Sequence, residues 1–477
     1  MIFHSVQFVA FFVAVYLLYI QLGHKAQNRM LLVASYVFYG WWDWRFLSLI
    51  ALTTVTDFLC VRGIHRSDVK AVRQRFVAVS VVVNLGVLGF FKYFDFFLEN
   101  LSALVAVFGV QLTGPGLNIL LPVGISFYTF QSMSYTLDVY RKQVEPTDDF
   151  LDYALYVSFF PQLVAGPIER ARNLLPQITS PRVHTPTQMR QGVLLIFFGF
   201  FKKLFIADNL ATIVDPVFAP GADPSGAQVL IGGYAFIYQV YCDFSGYTDI
   251  ARGTSKLLGV ELMENFRTPY LSTNLQDYWN RWHISLTTWI RDYLYYPLAF
   301  LRIGNRSLPA SVVTVVTFVI MGLWHGAAWG FVLWGAYHGL CLALYGNFLR
   351  RFKRKKQSWA PGWVPRPAVV VAKIIGMYHV ILVGELFFRS GTFTHSMTIF
   401  RALLTDFSLS AGFFADLGGV ALFILPMLLL DILTLDKPLE EKAFGWPRVV
   451  RYAAYYAMFT AIVKFGTTSD AFFYFQF

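Results

Sequence analysis

The run Met321-Gly-Leu-Trp-His-Gly-Ala-Ala-Trp-Gly330 carries an imidazole, His325, through an apolar stretch with no charged residue from Leu308 to Leu349. A charge at bilayer depth costs roughly 2.5 to more than 10 kcal/mol, and a neutral imidazole still needs hydrogen-bonding partners. An ionisable residue in such a place is a functional candidate by default. A second Trp-His pair, Trp282-His283, lies upstream. These two pairs are where the search for chemistry begins.

The rest of the chain explains the setting. Of 477 residues, 56% are hydrophobic and only 14% charged, against about 25% charged in a soluble domain. The 48 Phe, 26 Tyr and 12 Trp suit a protein with many segment ends in the headgroup layer. Apolar segments near 5–22, 30–42, 46–62, 76–98, 118–140, 190–210, 228–250, 308–327, 329–348, 368–388, 411–433 and 449–466 approach the ~20 residues needed to cross a bilayer. The fold class is therefore an all-α polytopic membrane protein of about 11–12 transmembrane helices. We expect a single embedded unit over 1–477, with peripheral N-terminal helices in 1–115, a core in 116–350, and C-terminal helices and an aromatic tail in 351–477.

The formal charge of +11 does not point to nucleic acid. The cations cluster between apolar segments, at Arg62, Arg66, Lys70, Arg73 and Arg75, and again at Arg350, Arg351, Lys353, Arg354, Lys355 and Lys356. Cytoplasmic retention of basic loops accounts for that pattern, with anionic lipid as the natural contact. Stretches free of Lys and Arg, 93–140 and 204–251, alternate with the basic ones and place both termini outside. The N-terminal segment lacks a basic start and a small-residue cleavage site, so it reads as a retained span.

Two regions do not read as simple crossings. Within 150–170, Phe160-Pro-Gln and Ala165-Gly-Pro break any helix, and broken backbone at membrane depth survives only where protein or a cavity buries it. That region is expected to be re-entrant or interfacial. Residues 271–300 are expected to form a buried helix between spans. At helical spacing, Trp282, Leu286, Trp289 and Tyr293 make an aromatic stripe, and Arg281, Ser285, Thr288 and Asp292 a polar one. An interfacial amphipathic helix and a tunnel wall facing a hydrophilic substrate both fit.

Gly322, Gly326 and Gly330 recur at i, i+4 and i+8, which on a continuous helix lets another helix or a ligand come close. An imidazole beside such a groove, with an unperturbed pKa of about 6.5, can act as a general base. His338 follows thirteen residues after His325 and shares a role with it only if the helix breaks between them. Asp243 and Asp249 invite either substrate or an arginine, Arg252 or Arg267. Cys60, Cys242 and Cys341 show no paired or metal-like spacing. Metallohydrolase, serine-hydrolase and phosphate-loop motifs are missing from the sequence, so no metal site and no bound cofactor are expected.

Several ordered motifs resemble the membrane-bound O-acyltransferase family, in its bacterial branch that serves alginate O-acetylation and teichoic acid D-alanylation. They are Leu121-Pro-Val-Gly-Ile-Ser-Phe-Tyr-Thr-Phe-Gln131, Phe159-Phe-Pro-Gln-Leu-Val-Ala-Gly-Pro-Ile168, Tyr241-Cys-Asp-Phe-Ser-Gly-Tyr247, Tyr278-Trp-Asn-Arg-Trp-His-Ile-Ser-Leu286 and Leu323-Trp-His-Gly326. The resemblance implies a ring of helices around a tunnel, and transfer of an acyl group from a thioester to a hydroxyl in the bacterial cytoplasmic membrane. It maps the catalytic histidine onto His325 and a second polar site onto Asn280 and His283, either of which could orient the carbonyl or stabilise the oxyanion.

Arg281, Trp282, Trp324, Asp243 and Asp292 join Asn280 as candidate substrate-binding residues. The implied donor is acetyl-CoA or an acyl-carrier-protein thioester on the cytoplasmic side. The implied partner is an extracytoplasmic glycan O-acetyltransferase. The ending Phe472-Phe-Tyr-Phe-Gln-Phe477 is either an interfacial anchor or, through Tyr474, an acyl relay of the kind associated with this branch. A transporter or flippase and a non-catalytic scaffold of a glycan export complex are the rival classes. The inverted repeats and paired broken helices expected of a transporter are not visible in the sequence.

Overall fold

The computed structural model describes residues 1–111, 119–355, 365–409 and 412–467, with backbone alone at Ile303 and 348–355. Helix dominates, and the strands among the described residues are the short antiparallel pair Arg302–Ile303 and Arg306–Ser307. Each of the twelve apolar segments read from the sequence overlaps helix, although 119–124, at the start of the segment 118–140, is not helical. Among the described residues, four helical stretches are long and apolar enough to cross a membrane: His24–Arg66 (interrupted by a turn at Trp44–Phe46), Lys70–Ala106, Arg366–Ser390 and Phe413–Leu433. Val6–Tyr19 and Ala310–His325 are shorter apolar helices. Along Lys70–Ala106, Val82 and Phe97 are among many exposed apolar side chains, a surface suited to hydrocarbon. The chain is an all-α polytopic membrane protein.

Two compact units divide the chain, one of residues 1–198 and 247–263, the other of 199–246 and 264–477.

In the first unit, the region 150–170 is a short helix followed by buried irregular backbone. Asp149 caps the helix Phe150–Ser158 by accepting from the Leu151 and Asp152 amides. Helix stops at Ser158 because Pro161 lacks an amide hydrogen and biases the residue before it away from helix. The segment that follows is buried throughout, so its backbone must find protein partners. Ser35 Oγ accepts from the Phe160 amide at 3.1 Å. Gln131 Nε2 donates to the Tyr156 carbonyl at 2.5 Å, and Gln162 Nε2 donates to Gln131 Oε1 at 2.9 Å. The Met263 amide donates to Glu169 at 2.5 Å.

Gly124 begins the helix Ile125–Tyr140 at φ 77°, and a Cβ there would lie 2.9 Å from the Leu163 carbonyl oxygen. Both the left-handed backbone and the close approach require glycine. Two of the family-like motifs, 121–131 and 159–168, thus meet at that point.

In the second unit, the region 271–300 is not one helix. It is a chain of short pieces: Leu275–Trp279, Ile284–Ile290, a π-helical turn Arg291–Tyr295, and Tyr296–Phe300. The first begins where Asn274 Oδ1 accepts from the Asp277 amide at 2.9 Å. Helix cannot run from there to Ile290 because His283 sits in the left-handed region at φ 43°, ψ 56°. The faces expected from continuous helical periodicity therefore apply only within Ile284–Ile290, before the π-helical turn that holds Asp292 and Tyr293. A second π-helical turn, Phe201–Ala207, joins Pro186–Phe200 to Asp208–Val217.

Candidate active site

His325 is the last residue of the helix Ala310–His325, and Gly326 leaves that helix in extended conformation at φ −167°. The next helix, Trp329–Lys355, turns back against it. The backbones approach closely: a Cβ on Gly322 would fall 2.1 Å from the Phe331 carbonyl oxygen, and one on Gly335 would fall 2.3 Å from that of Phe318. The groove expected from Gly322, Gly326 and Gly330 is accordingly not one helix face. The helix ends before Gly326; neighbouring backbone occupies the space that the missing Cβ atoms leave at Gly322 and Gly330, and the Phe331 ring occupies it at Gly326. Gly330 instead packs beside Phe387 and Gly391, with its amide donating to the Gly391 carbonyl at 2.9 Å.

This hairpin buries His325 among aromatic rings. Trp324, Trp334 and Phe388 present ring centroids 4.9, 5.1 and 5.4 Å away, all in edge-on geometry. Phe388 comes from the helix Arg366–Ser390, far away in sequence. His338, one turn beyond Trp334 in the same helix, lies 5.1 Å from that ring. His338 is fully buried, edge-on to Trp279 at 5.3 Å.

The second Trp-His pair comes to the first. The His283 ring lies 6.2 Å from Trp324, whose own neighbour is His325, so a single indole adjoins both imidazoles. Phe244 meets His283 edge-on at 4.7 Å and Phe266 stacks at 6.3 Å. His283 Nδ1 lies 3.2 Å from the side-chain oxygen of Asn265. Trp282 points into another aromatic cluster with Tyr241, Phe266, Tyr270 and Tyr278.

The polar candidates separate. Asn280 ends the helix Leu275–Trp279 and is exposed, whereas His283 is buried after the intervening turn. Arg281 pairs with Asp277 at 2.7 Å and donates to Thr268 Oγ1 at 3.2 Å. Asp292 pairs with its neighbour Arg291 at 2.8 Å. Asp243 meets Lys203 at 2.7 Å. Lys203 also meets Asp208 at 2.9 Å, and all three side chains are buried. Asp249 lies 3.9 Å from Arg252. Tyr474 and the whole aromatic ending Phe472–Phe477 fall outside the described residues.

Sequence reading missed Asn265, Trp334, Phe388 and Lys203. Asn265 stands in an irregular segment with no periodicity to mark it. The Lys202-Lys203 pair sits conspicuously in Phe200-Phe-Lys-Lys-Leu-Phe205, and two lysines in an apolar run are a signal for buried carboxylate partners.

An all-α membrane protein that gathers two histidines around one tryptophan has the elements of a polar reaction centre within an apolar body. Residues 37–384 match the model of the membrane-bound O-acyltransferase family. The chain is 35% identical over 505 aligned positions, spanning both proteins in full, to a probable alginate O-acetylase AlgI of Pseudomonas putida. It is 43% identical to the corresponding Azotobacter vinelandii protein over 72% of this chain and 68% of that one. A Bacillus subtilis teichoic acid D-alanyltransferase is 28% identical over 59% of this chain and 72% of its own length. The chain belongs to the membrane-bound O-acyltransferase family and is an acyltransferase.

Proposed function

We propose that the chain moves an acetyl group from a cytoplasmic thioester, acetyl-CoA or an acyl-carrier protein, towards O-acetylation of an exported polysaccharide or cell-wall glycan. The observation that carries this reading is the convergence of both Trp-His pairs on the Trp324 indole, in a chain whose similar proteins are named for O-acetylation and D-alanylation. Alginate-type similarity over the full length favours acetyl as the acyl group and an exopolysaccharide as the destination.

In this scheme His325 accepts the proton of the attacking hydroxyl as oxygen bonds to the thioester carbon. The tetrahedral intermediate then expels sulfur, and the imidazolium returns the proton to the thiolate. Thiolate leaves far more readily than an alkoxide and about as readily as a tyrosine phenoxide, so transfer to a phenol is near balance and onward passage of the acyl group to a sugar hydroxyl draws it forward. Base catalysis of this kind contributes about 10²–10⁴-fold. The aromatic rings around His325 exclude water, which would otherwise compete for the acyl group.

The hydroxyl that attacks first is assigned to Tyr474, whose phenyl ester would stay activated enough to pass the acyl group to an extracytoplasmic O-acetyltransferase partner. With both termini outside and the basic loops inside, such a relay bridges a donor in the cytoplasm and a glycan beyond the inner membrane. Purified protein incubated with radiolabelled acetyl-CoA tests the scheme. Label should appear on the chain or its partner and vanish in His325→Ala; unchanged labelling there would overturn the mechanism. Chain-bound label that persists in Tyr474→Phe would overturn the relay and leave the transfer standing.

A further inference from the structure

Asn265 is fully buried, and its side-chain oxygen has three polar atoms within reach. Its Oδ1 accepts from the Ser285 amide at 3.1 Å and from the Ser285 hydroxyl at 2.9 Å, and it lies 3.2 Å from His283 Nδ1. The amide contact decides the orientation of the carboxamide. A peptide nitrogen only donates, so the atom facing it is the oxygen and not the NH₂ group. A second tie holds the two segments in register, from the Ile284 amide to the Asn265 carbonyl at 2.9 Å.

An amide oxygen has no proton to give. The Ser285 hydroxyl also lies near His283 Nδ1, at 3.5 Å, but it gives its proton to Asn265 Oδ1 at 2.9 Å; Nδ1 therefore carries the proton, and in neutral imidazole the other nitrogen presents a lone pair. The ring has little freedom to escape this arrangement. Its backbone is left-handed, Phe244 closes one side edge-on, and Phe266 stacks against it at 29°.

We propose that Asn265 is a positioning residue that fixes His283 as its Nδ1–H tautomer, so that His283 meets substrate as a hydrogen-bond acceptor through Nε2. This deepens the acyl-transfer reading and rests on it for the word substrate. It removes His283 from the set of groups that could stabilise an oxyanion, because that task requires a donor. The substrate group that fits Nε2 is an O–H or an N–H. Ser285 completes the device: its amide and hydroxyl hold the Asn265 oxygen in place, as the supporting partners of catalytic imidazoles generally do.

Nitrogen NMR of the full-length, ¹⁵N-histidine-labelled protein in nanodiscs reads the tautomer directly, with the His283 signals assigned by their loss in His283→Gln. At neutral pH the expected pattern is a protonated Nδ1 and an unprotonated Nε2. Asn265→Leu, similar in volume but unable to accept, should release the tautomer. Labelled acetyl transfer in that variant should fall by about 10²-fold, below the ~10⁴-fold that a wholly wrong tautomer costs a serine protease. Asn265→Asp keeps an oxygen before Nδ1 and should recover both the spectrum and most of the transfer.

A wild-type spectrum with the proton on Nε2 overturns the proposal whatever the activity, as does an Asn265→Leu protein with the wild-type spectrum. If Asn265→Leu fails to fold, the wild-type and Asn265→Asp spectra still decide the matter. The predicted tautomer in a protein that transfers no acetyl group would overturn only the functional reading.

Discussion

Asp57 in the first unit and His283 in the second are both sealed from solvent, yet their surroundings differ in kind. Each carboxylate oxygen of Asp57 accepts twice: Oδ1 from Ser80 at 2.5 Å and Asn84 at 3.1 Å, Oδ2 from Asn84 at 2.9 Å and from Ser132. Ser132 in turn lies 2.9 Å from the Tyr153 hydroxyl. A carboxylate with all its lone pairs engaged by neutral donors ties helices together. His283 has one nitrogen engaged by an amide oxygen, its faces covered by rings, and a tryptophan shared with a second imidazole as its neighbour. Burial of a polar group therefore does not by itself mark a reaction site. What distinguishes the two is whether the local hydrogen bonds use up the group or orient it.

The largest effect that could break this contrast belongs to His325. Replacing it with alanine should lower acetyl transfer by about 10²–10⁴-fold, with the thermal unfolding profile in detergent little changed. A variant that unfolds instead would make His325 a group of the Asp57 kind. Lys203→Met should show the opposite pattern. It leaves Asp208 and Asp243 buried without their cation, so a destabilisation of about 3–5 kcal/mol is expected, seen as a lowered denaturation midpoint.

Asp57→Ala comes next. It strands the Ser80, Asn84 and Ser132 donors, at about 1–3 kcal/mol for an orphaned buried group. The transfer rate per folded molecule should stay at the wild-type value, and a selective loss of rate would give Asp57 a role in the chemistry. The smallest effect is expected from Asp292→Asn. The Arg291–Asp292 pair is half exposed, with side-chain exposures of 51% and 26%, so stability should change by no more than about 1 kcal/mol. A substantially raised KM for the thioester would restore Asp292 as a substrate contact.

Much of this division was legible in the residues themselves. The twelve apolar segments all overlap helix, because an apolar run of that length satisfies its backbone within one segment only as helix. The break in 150–170 was visible from its prolines. The helix assumed over 271–300 failed at His283, since no propensity rule foresees a histidine at φ 43°; the tie of Asn265 to His283, Ile284 and Ser285 accompanies that conformation. The glycine groove failed for a related reason. Periodicity assumes a continuous helix, and the chain turns at Gly326.

The sequence alone determined that this is a polytopic helical membrane protein with two imidazoles among apolar residues, because composition and run length act locally and need no partner. The motifs also placed it in an acyltransferase family before any geometry was known. Tertiary structure decided what those imidazoles touch. Phe388 reaches His325 from a helix some sixty residues on, Lys203 reaches Asp243 from forty residues away, and Asn265 reaches back from its irregular segment to orient His283. Such contacts depend on how separate helices and loops pack against one another, and a linear pattern of residues carries no record of that packing.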